Sequence, residues 1–345
     1  MSSTDTAAKA RPAWYRRAWT ALSILILVAV VEYVVLPKLA IARQSLDRVG
    51  HLNPIWVVVA ILLEAASLVC YSFFTRALLG RGHLPYSWIL RSDVTGYGVS
   101  HVVPGGAATA SALRFRLFVA GGAQPTNVTA TVTAEAIGSP LALVFLAWLT
   151  SIPAVVSRDA TPAYLTGFLI GLAVIACGIL AGGSRSTVER YAARLVRLVV
   201  RYLPQRTRPW FEDLARRFRD LLRDHEVRKA FLIWATLNWV LDAAVLWTFL
   251  AAFYQPVNPV PLLLAYCAAN LAAVIPLTPG GIGVVEGIAI STLLGYGIPG
   301  QSAVLAVLAW RLIQFWLPVP VAGLCYLSLH AQNGFFGGRR TAASP

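Results

Sequence analysis

The sequence predicts an all-α, polytopic membrane protein with about six spanning helices and two re-entrant helical hairpins arranged as an inverted repeat. Three observations carry that reading. The 345 residues are 57% hydrophobic and 13% charged, with a mean hydropathy of +0.66, whereas soluble domains carry about 25% charged residues. Such a chain has too few charges to clothe a water-facing surface, and lipid removes the need for them. Several apolar runs are long enough to cross a bilayer. Finally, Pro104-Gly105-Gly106 recurs as Pro279-Gly280-Gly281, an offset of 175 residues.

The elements follow in chain order. Residues 1–18 form a basic N-terminus in which Lys9, Arg11, Arg16 and Arg17 precede the first apolar run. That run, 19–36, is long for the apolar region of a signal peptide and predicts a retained first helix. Further spans are predicted at 54–79, 126–151, 162–181, 230–253 and 302–329. Two other apolar segments, 88–120 and 261–296, are each broken near the middle by Pro-Gly-Gly. Such a break frees backbone groups that lipid cannot satisfy, so it belongs inside protein or against a wet cavity. Both segments therefore read as re-entrant hairpins. Residues 19–329 form the transmembrane domain, 182–229 a cytoplasmic basic insert within it, and 330–345 a cytoplasmic tail.

Charge sets the expected orientation. With the N-terminus inside, 24 of the 29 Lys and Arg lie on the cytoplasmic side; Lys38, Arg43, Arg48 and Arg158 lie outside and Arg311 lies within a span. Both termini are then cytoplasmic, in a plasma-membrane protein. The net charge of +14 serves this orientation, not nucleic-acid binding, which needs an exposed basic domain. Cys70, Cys177, Cys267 and Cys325 sit in apolar stretches without a CxxC pair, so they read as packing residues, and no metal site or cofactor is expected.

The repeat extends beyond three letters. Each motif is followed by a mostly apolar stretch, a glycine-containing turn (Gly121-Gly122; Gly295-Tyr296-Gly297) and a helix holding an internal charge, Glu135 in one half and Arg311 in the other. Three spans separate the hairpins, so the first dips from the cytoplasm and the second from outside, an arrangement that marks many transporters.

Ionisable residues at membrane depth cost roughly 2.5–3.5 kcal/mol each on insertion scales. This chain places Glu32, Glu64, Arg91, Asp93, Arg114, Glu135, Asp242, Glu286 and Arg311 there, together with His101 and the amides Asn238, Asn270 and Gln314. The functional expectation is a wet cavity between the halves. Its candidate lining is Pro104, Gly105, Gly106, Arg114, Glu135, Asp242, Pro279, Gly280, Gly281, Gly283, Glu286 and Arg311. Glu135 and Arg311 are expected to pair, since a lone charge would be unsatisfied. Arg114 and Arg116 suit a phosphate, and a helix starting after Pro-Gly-Gly aims free N–H groups at an anion. The structural alternative is that the charges merely hold helices together or reach the interface, the expectation for Glu32, Arg91 and Asp93.

The insert carries a surface signal. Arg190, Arg194, Arg197 and Arg201 fall on one helical face beside Tyr191, Leu195, Leu198 and Tyr202, the pattern of a helix lying on anionic lipids.

The stretch AVIPLTPGGIGVVEG, the turn LLGYGIP and the helix AWRLIQFWLPVPVAG carry a family resemblance. They resemble the transmembrane, flippase-like family of the lysylphosphatidylglycerol synthases, also called UPF0104. The matching positions are Pro279, Gly280, Gly281, Gly283, Glu286, Trp310 and Arg311. VVPGGAATASALRFRLFVAGG resembles the family's first Pro-Gly-Gly segment, with Arg114 as its following arginine. Glu135 is kept in the next helix, but Ala136 stands in place of the family's Arg and Ser139 near its Asp. The resemblance covers roughly residues 15–330. It implies a membrane protein that moves lipids. The chain is expected to lack the family's lysine-transferring domain, since Pro345 falls soon after the last predicted span.

The sequence thus predicts a non-enzymatic translocase for a phospholipid or lipid-linked molecule. No GxxxxGK[ST] occurs, so transport would be passive or ion-coupled, with Glu135, Glu286 or Asp242 carrying a proton. Two rivals stand beside it. One is a membrane-embedded transferase or hydrolase using His101, Glu135 and Arg114. The other is a scaffold for a lipid-modifying partner docked through 186–229.

Overall fold

The computed structural model describes residues 53–80, 84–103, 106–156, 224–253, 258–273 and 278–337. The predicted spans 19–36 and 162–181, Glu32, Pro104, Gly105, Cys177, and Arg190, Arg194, Arg197 and Arg201 lie outside the described residues.

Helix α1, Pro54–Leu79, begins where the sequence supplies a start signal: the Asn53 Oδ1 accepts the Ile55 N–H at 3.0 Å and proline holds the first helical position. It ends at Gly80, φ 84°. Helices α2, Tyr86–Val102, and α3, Gly106–Ala120, flank the first break. Helix α4, Pro125–Val156, follows the Gly121-Gly122 turn. Helix α5, His225–Ala230, is capped by the Asp224 carboxylate and runs through a wide π-turn, Phe231–Ala235, into α6, Thr236–Ala252. Helices α7, Pro259–Ala273, and α8, Val284–Gly295, flank the second break. Helix α9, Gly300–Arg311, continues through a second π-turn, Leu312–Trp316, into α10, Pro318–Gly337.

Four stretches are long and apolar enough to cross: Pro54–Leu79, Pro125–Ile152, His225–Ala252 and Gly300–Gln332, with 26, 28, 28 and 33 residues. The four helices beside the breaks have 17, 15, 15 and 12 residues. At 1.5 Å per residue the longest covers about 25 Å, short of a hydrocarbon core of about 30 Å. Helices α2 and α3 fold back on each other: Trp88 Nε1 donates to the Leu117 carbonyl at 3.0 Å near one end, and Gly106 meets the Ser100 backbone at the other. Helices α7 and α8 likewise pack together, with Ala273 against Gly281. The expected hairpins are present.

The halves run in opposite directions. Helix α1 precedes the first hairpin and α6 the second, and the two pack along their length. Phe74 meets Phe231, Phe73 stacks on Trp234 at 4.8 Å, and Ser67 bonds Asn238, so numbers fall on one helix as they rise on the other. The remaining packing follows the same plan. Helix α2 lies on α10, as α7 lies on α4. Each hairpin thus leans on the span that follows the other hairpin.

The second break is built on glycine. Gly280, Gly281 and Gly283 have φ of 58°, 69° and 84°, where a Cβ is strained. A Cβ on Gly280 would also strike the Phe315 ring, and the His101 carbonyl at the end of α2 lies beside it. The tip of the second hairpin therefore touches the inner end of the first.

Gly280→Ala is expected to lower stability by about 1–3 kcal/mol through the left-handed backbone and the Phe315 collision, read as a fall in thermal midpoint in detergent. Gly295→Ala, in open space within a helix, should change it little or raise it slightly.

Candidate functional site

Among the described residues, two buried ion-pair assemblies and one carboxylate cradle occupy the interior. In the first half, Arg114 on α3 points back at Asp93 on α2 and forward at Glu135 on α4. Its Nη2 and Nε donate to Asp93 Oδ1 at 2.6 and 3.0 Å, and Nη1 lies 2.6 Å from Glu135 Oε2. From α1, Tyr71 Oη and Thr75 Oγ1 accept from the remaining N–H groups at 3.0 and 3.3 Å. The guanidinium also lies over the Tyr71 and Phe118 rings. Gly96 makes room for it, because a Cβ there would collide with the Arg114 stem.

In the second half, Arg311 at the end of α9 bridges the break. Its Nε donates to Glu286 Oε1 at 2.6 Å, Nη1 to Gln314 Oε1 at 2.9 Å and Nη2 to the Gly280 carbonyl at 3.0 Å. The other Glu286 oxygen accepts the Gly283 N–H. Glu286 therefore caps its own helix, holding the N–H group left free at the start of α8. Arg311 lies 4.4 Å over the Phe315 ring. Gln314 extends the network to the first half, donating to Tyr97 Oη on α2 at 2.7 Å.

The third feature is Asp242 on α6, 4% exposed. Its oxygens accept from Tyr266 Oη on α7 and Trp310 Nε1 on α9, each at 2.7 Å. Glu64 on α1, 3% exposed, lies within electrostatic reach of it.

Several sequence expectations change here. Glu135 and Arg311 do not pair: each is claimed by a partner in its own half, Arg114 and Glu286. The internal repeat placed Glu135 and Arg311 at matching positions, and matching positions of an inverted repeat sit in separate halves. Arg114 does not offer a free fork to a phosphate, because carboxylates and hydroxyls take its N–H groups; Arg116 is exposed. The Gly283 N–H is held by Glu286 and not left for an anion. Of the two structural alternatives for Asp93 the structure shows the first: it is 2% exposed and paired, so it holds helices together and does not reach the interface. Arg91 reaches Ser328 and Gln332 on α10.

The structure gathers Gly280, Gly283, Glu286 and Arg311 at the second break, whereas Arg114 meets Glu135 further along α3, one turn from the Trp88–Leu117 bond. Asp242 joins the second-half helices through Trp310, the residue before Arg311. Gly106 marks the close approach of α3 to α2, and Gly281 packs on α7. Pro279 opens the short turn of the second break. Sequence reasoning left Tyr97 and Tyr266 out of the site and named Trp310 only as a position of the family resemblance. No charge marks them, and their polar tips matter only once partners arrive from other helices.

Arg311→Ala leaves Glu286 with 13% side-chain exposure and no countercharge. The expected loss is about 3–5 kcal/mol, seen in detergent unfolding. Adding Glu286→Gln to Arg311→Ala should recover much of it. A loss in the double variant equal to the sum of the Arg311→Ala and Glu286→Gln losses would show that the pair is not coupled.

Comparison with known proteins agrees with a membrane protein. The chain is 24% identical over 314 residues to a "UPF0104 membrane protein" of Methanothermobacter thermautotrophicus, covering 86% of this chain and 91% of the relative. It is 31% identical over 114 residues to "Inner membrane protein YbhN" of Escherichia coli, covering 33% and 35% of the two chains. Residues 18–322 match the family described as lysylphosphatidylglycerol synthase TM region. The chain is a multi-pass membrane protein belonging to that family.

Proposed function

We propose that this protein is a lipid translocase, moving a phospholipid or lipid-linked molecule across the bilayer. The observation that carries the proposal is the meeting of two oppositely directed halves at a glycine break flanked by charge. Helices interrupted at membrane depth, in inverted halves, are a recurring way to build a site that opens alternately to the two faces. Here α1 and α6 form the antiparallel seam, and the contact of Gly280 with His101 and Phe315 closes the centre. A polar headgroup would pass beside the paired charges while its tails stay in lipid. Opening would separate the α2 end from the second break, trading the Tyr97–Gln314 bond for contacts to the headgroup.

In this reading the protein sits in the plasma membrane with both termini cytoplasmic. The arginines of the 182–229 insert rest on anionic headgroups, and a lipid-modifying enzyme supplies the cargo. The transporter reading is preferred to catalysis. Among the described residues, His101 packs between the Tyr97 and Phe315 rings, while Arg114 and Glu135 are joined to Asp93 and Tyr71. No bond joins His101 to the other two candidates as a catalytic set.

Purified protein in liposomes containing fluorescent phospholipid should make inner-leaflet label reachable by an external quencher faster than empty liposomes do. Arg311→Ala and Glu286→Ala should each slow that rate by about tenfold or more, in line with 1.4 kcal/mol per decade. Rates equal to those of empty liposomes across phospholipid headgroups would remove the translocase reading.

A further inference from the structure

The described interior holds more acid than base. Five carboxylates are buried or nearly so: Glu64, Asp93, Glu135, Asp242 and Glu286. Two guanidiniums, Arg114 and Arg311, lie among them. Arg91 is turned to Ser328 and Gln332, and Arg76 and Arg116 are exposed. Hydrocarbon does not tolerate three surplus negative charges.

The hydrogen bonds show where the surplus is answered. Asp242 receives a donor on each oxygen, from Tyr266 and Trp310. Glu286 receives one on each from Gly283 and Arg311. Neither of those two has an oxygen left bare. Glu64, Asp93 and Glu135 differ. Glu64 Oε2, Asp93 Oδ2 and Glu135 Oε1 are buried without a hydrogen-bond donor among the described residues. Arg114 can cancel only one of the two charges it bridges. Among the described residues, each of two places, Glu64 and the Asp93–Glu135 pair, therefore keeps one uncancelled charge and at least one bare oxygen.

We propose that these two places are proton-binding sites, one on Glu64 and one shared by Asp93 and Glu135 across Arg114, and that their loading couples lipid movement to a proton gradient. The coupling rests on the translocase reading; the proton sites do not. Each step is simple association, a carboxylate and a proton giving a carboxylic acid. The groups facing the shared site are Tyr71 and Thr75 on α1, Tyr86 on α2 and Arg114 on α3. Those facing Glu64 are Asp242 on α6 and Tyr97 on α2, with Arg311 on α9 beyond them. A metal cation is a poor occupant of the shared site, since the guanidinium already lies 2.6 Å from both carboxylates. No group of three or more His, Cys, Asp or Glu suited to a metal occurs among the described residues.

The sites are also aligned. Glu64 and Tyr71 are seven residues apart on α1, two turns along one face, or about 10 Å. A protonated Glu64 and a protonated shared pair thus lie along the helix that forms the seam with α6. Movement at that seam would be felt by both.

The test uses the full chain in lipid vesicles and infrared spectroscopy, which separates the carboxylic-acid C=O stretch from carboxylate bands. At pH 7 the wild type should show buried carboxylic acid that shifts in deuterated water. Glu64→Gln should remove one component, and Asp93→Asn or Glu135→Gln another, with the helical amide band retained as a check on folding. No acid band at pH 7, or a band indifferent to all three substitutions, overturns the sites. In the same vesicles, a pH gradient should change labelled-lipid flux by about fivefold or more, and Glu64→Gln should flatten the response. Flux indifferent to the gradient, or responsive to sodium instead, overturns coupling while translocation stands. An acid band with no lipid flux leaves the proton sites standing and removes the translocase reading.

Discussion

Hydrocarbon offers no hydrogen bonds, and most of this molecule follows from that constraint. A helix broken at membrane depth leaves backbone groups that only protein can answer. At the second break the answer is visible atom by atom. The Gly280 carbonyl accepts from Arg311 and the Gly283 N–H donates to Glu286. Arg311 and Glu286 in turn neutralise each other. The ion pair replaces solvent for the break, and the break positions the ion pair. Remove either and the other is left unsatisfied in a medium that penalises it.

The first half carries a corresponding ion pair with the charges exchanged. There the arginine is on the second helix of the hairpin and the carboxylate on the following span, Arg114 to Glu135. In the second half the carboxylate is on the hairpin and the arginine on the span, Glu286 to Arg311. Both pairs tie a hairpin to the span after it, and so hold each half together as a unit. Between the halves the contacts are of another kind. Ser67 with Asn238, Tyr97 with Gln314 and the ring of Phe315 on His101 are neutral, and Arg91 donates to the neutral Ser328 and Gln332 without meeting an opposite charge. Neutral contacts separate at lower cost than ion pairs in low dielectric. Strong bonds within each half and weaker ones between them suit two bodies that move against each other.

Shape complements this division. Gly98 lets Ala322 of α10 approach α2 closely, and Gly106 lets α3 approach α2. Small residues at such crossings are how membrane helices gain packing without a hydrophobic drive to associate. Large apolar side chains such as Leu62, Leu324 and Leu327 stay exposed, 63%, 69% and 63%, where lipid would cover them.

Much of this was legible in the sequence. Composition and run length fixed the solvent and the helices, because both depend on local hydropathy, and α1 follows its predicted bounds from an Asn-Pro start to a glycine stop. The two Pro-Gly-Gly repeats located the breaks, because few residues besides glycine sit at positive φ. The odd number of spans between them predicted inverted halves. What the sequence left open was partnership. It marked Glu135 and Arg311 as costly charges and joined them to each other, whereas Arg114 and Glu286 claim them. It gave no sign that Tyr266 and Trp310 converge on Asp242. Hydropathy and periodicity say which face of a helix is polar; which helix that face meets is decided by packing between segments far apart in the chain, and only the tertiary structure carries it.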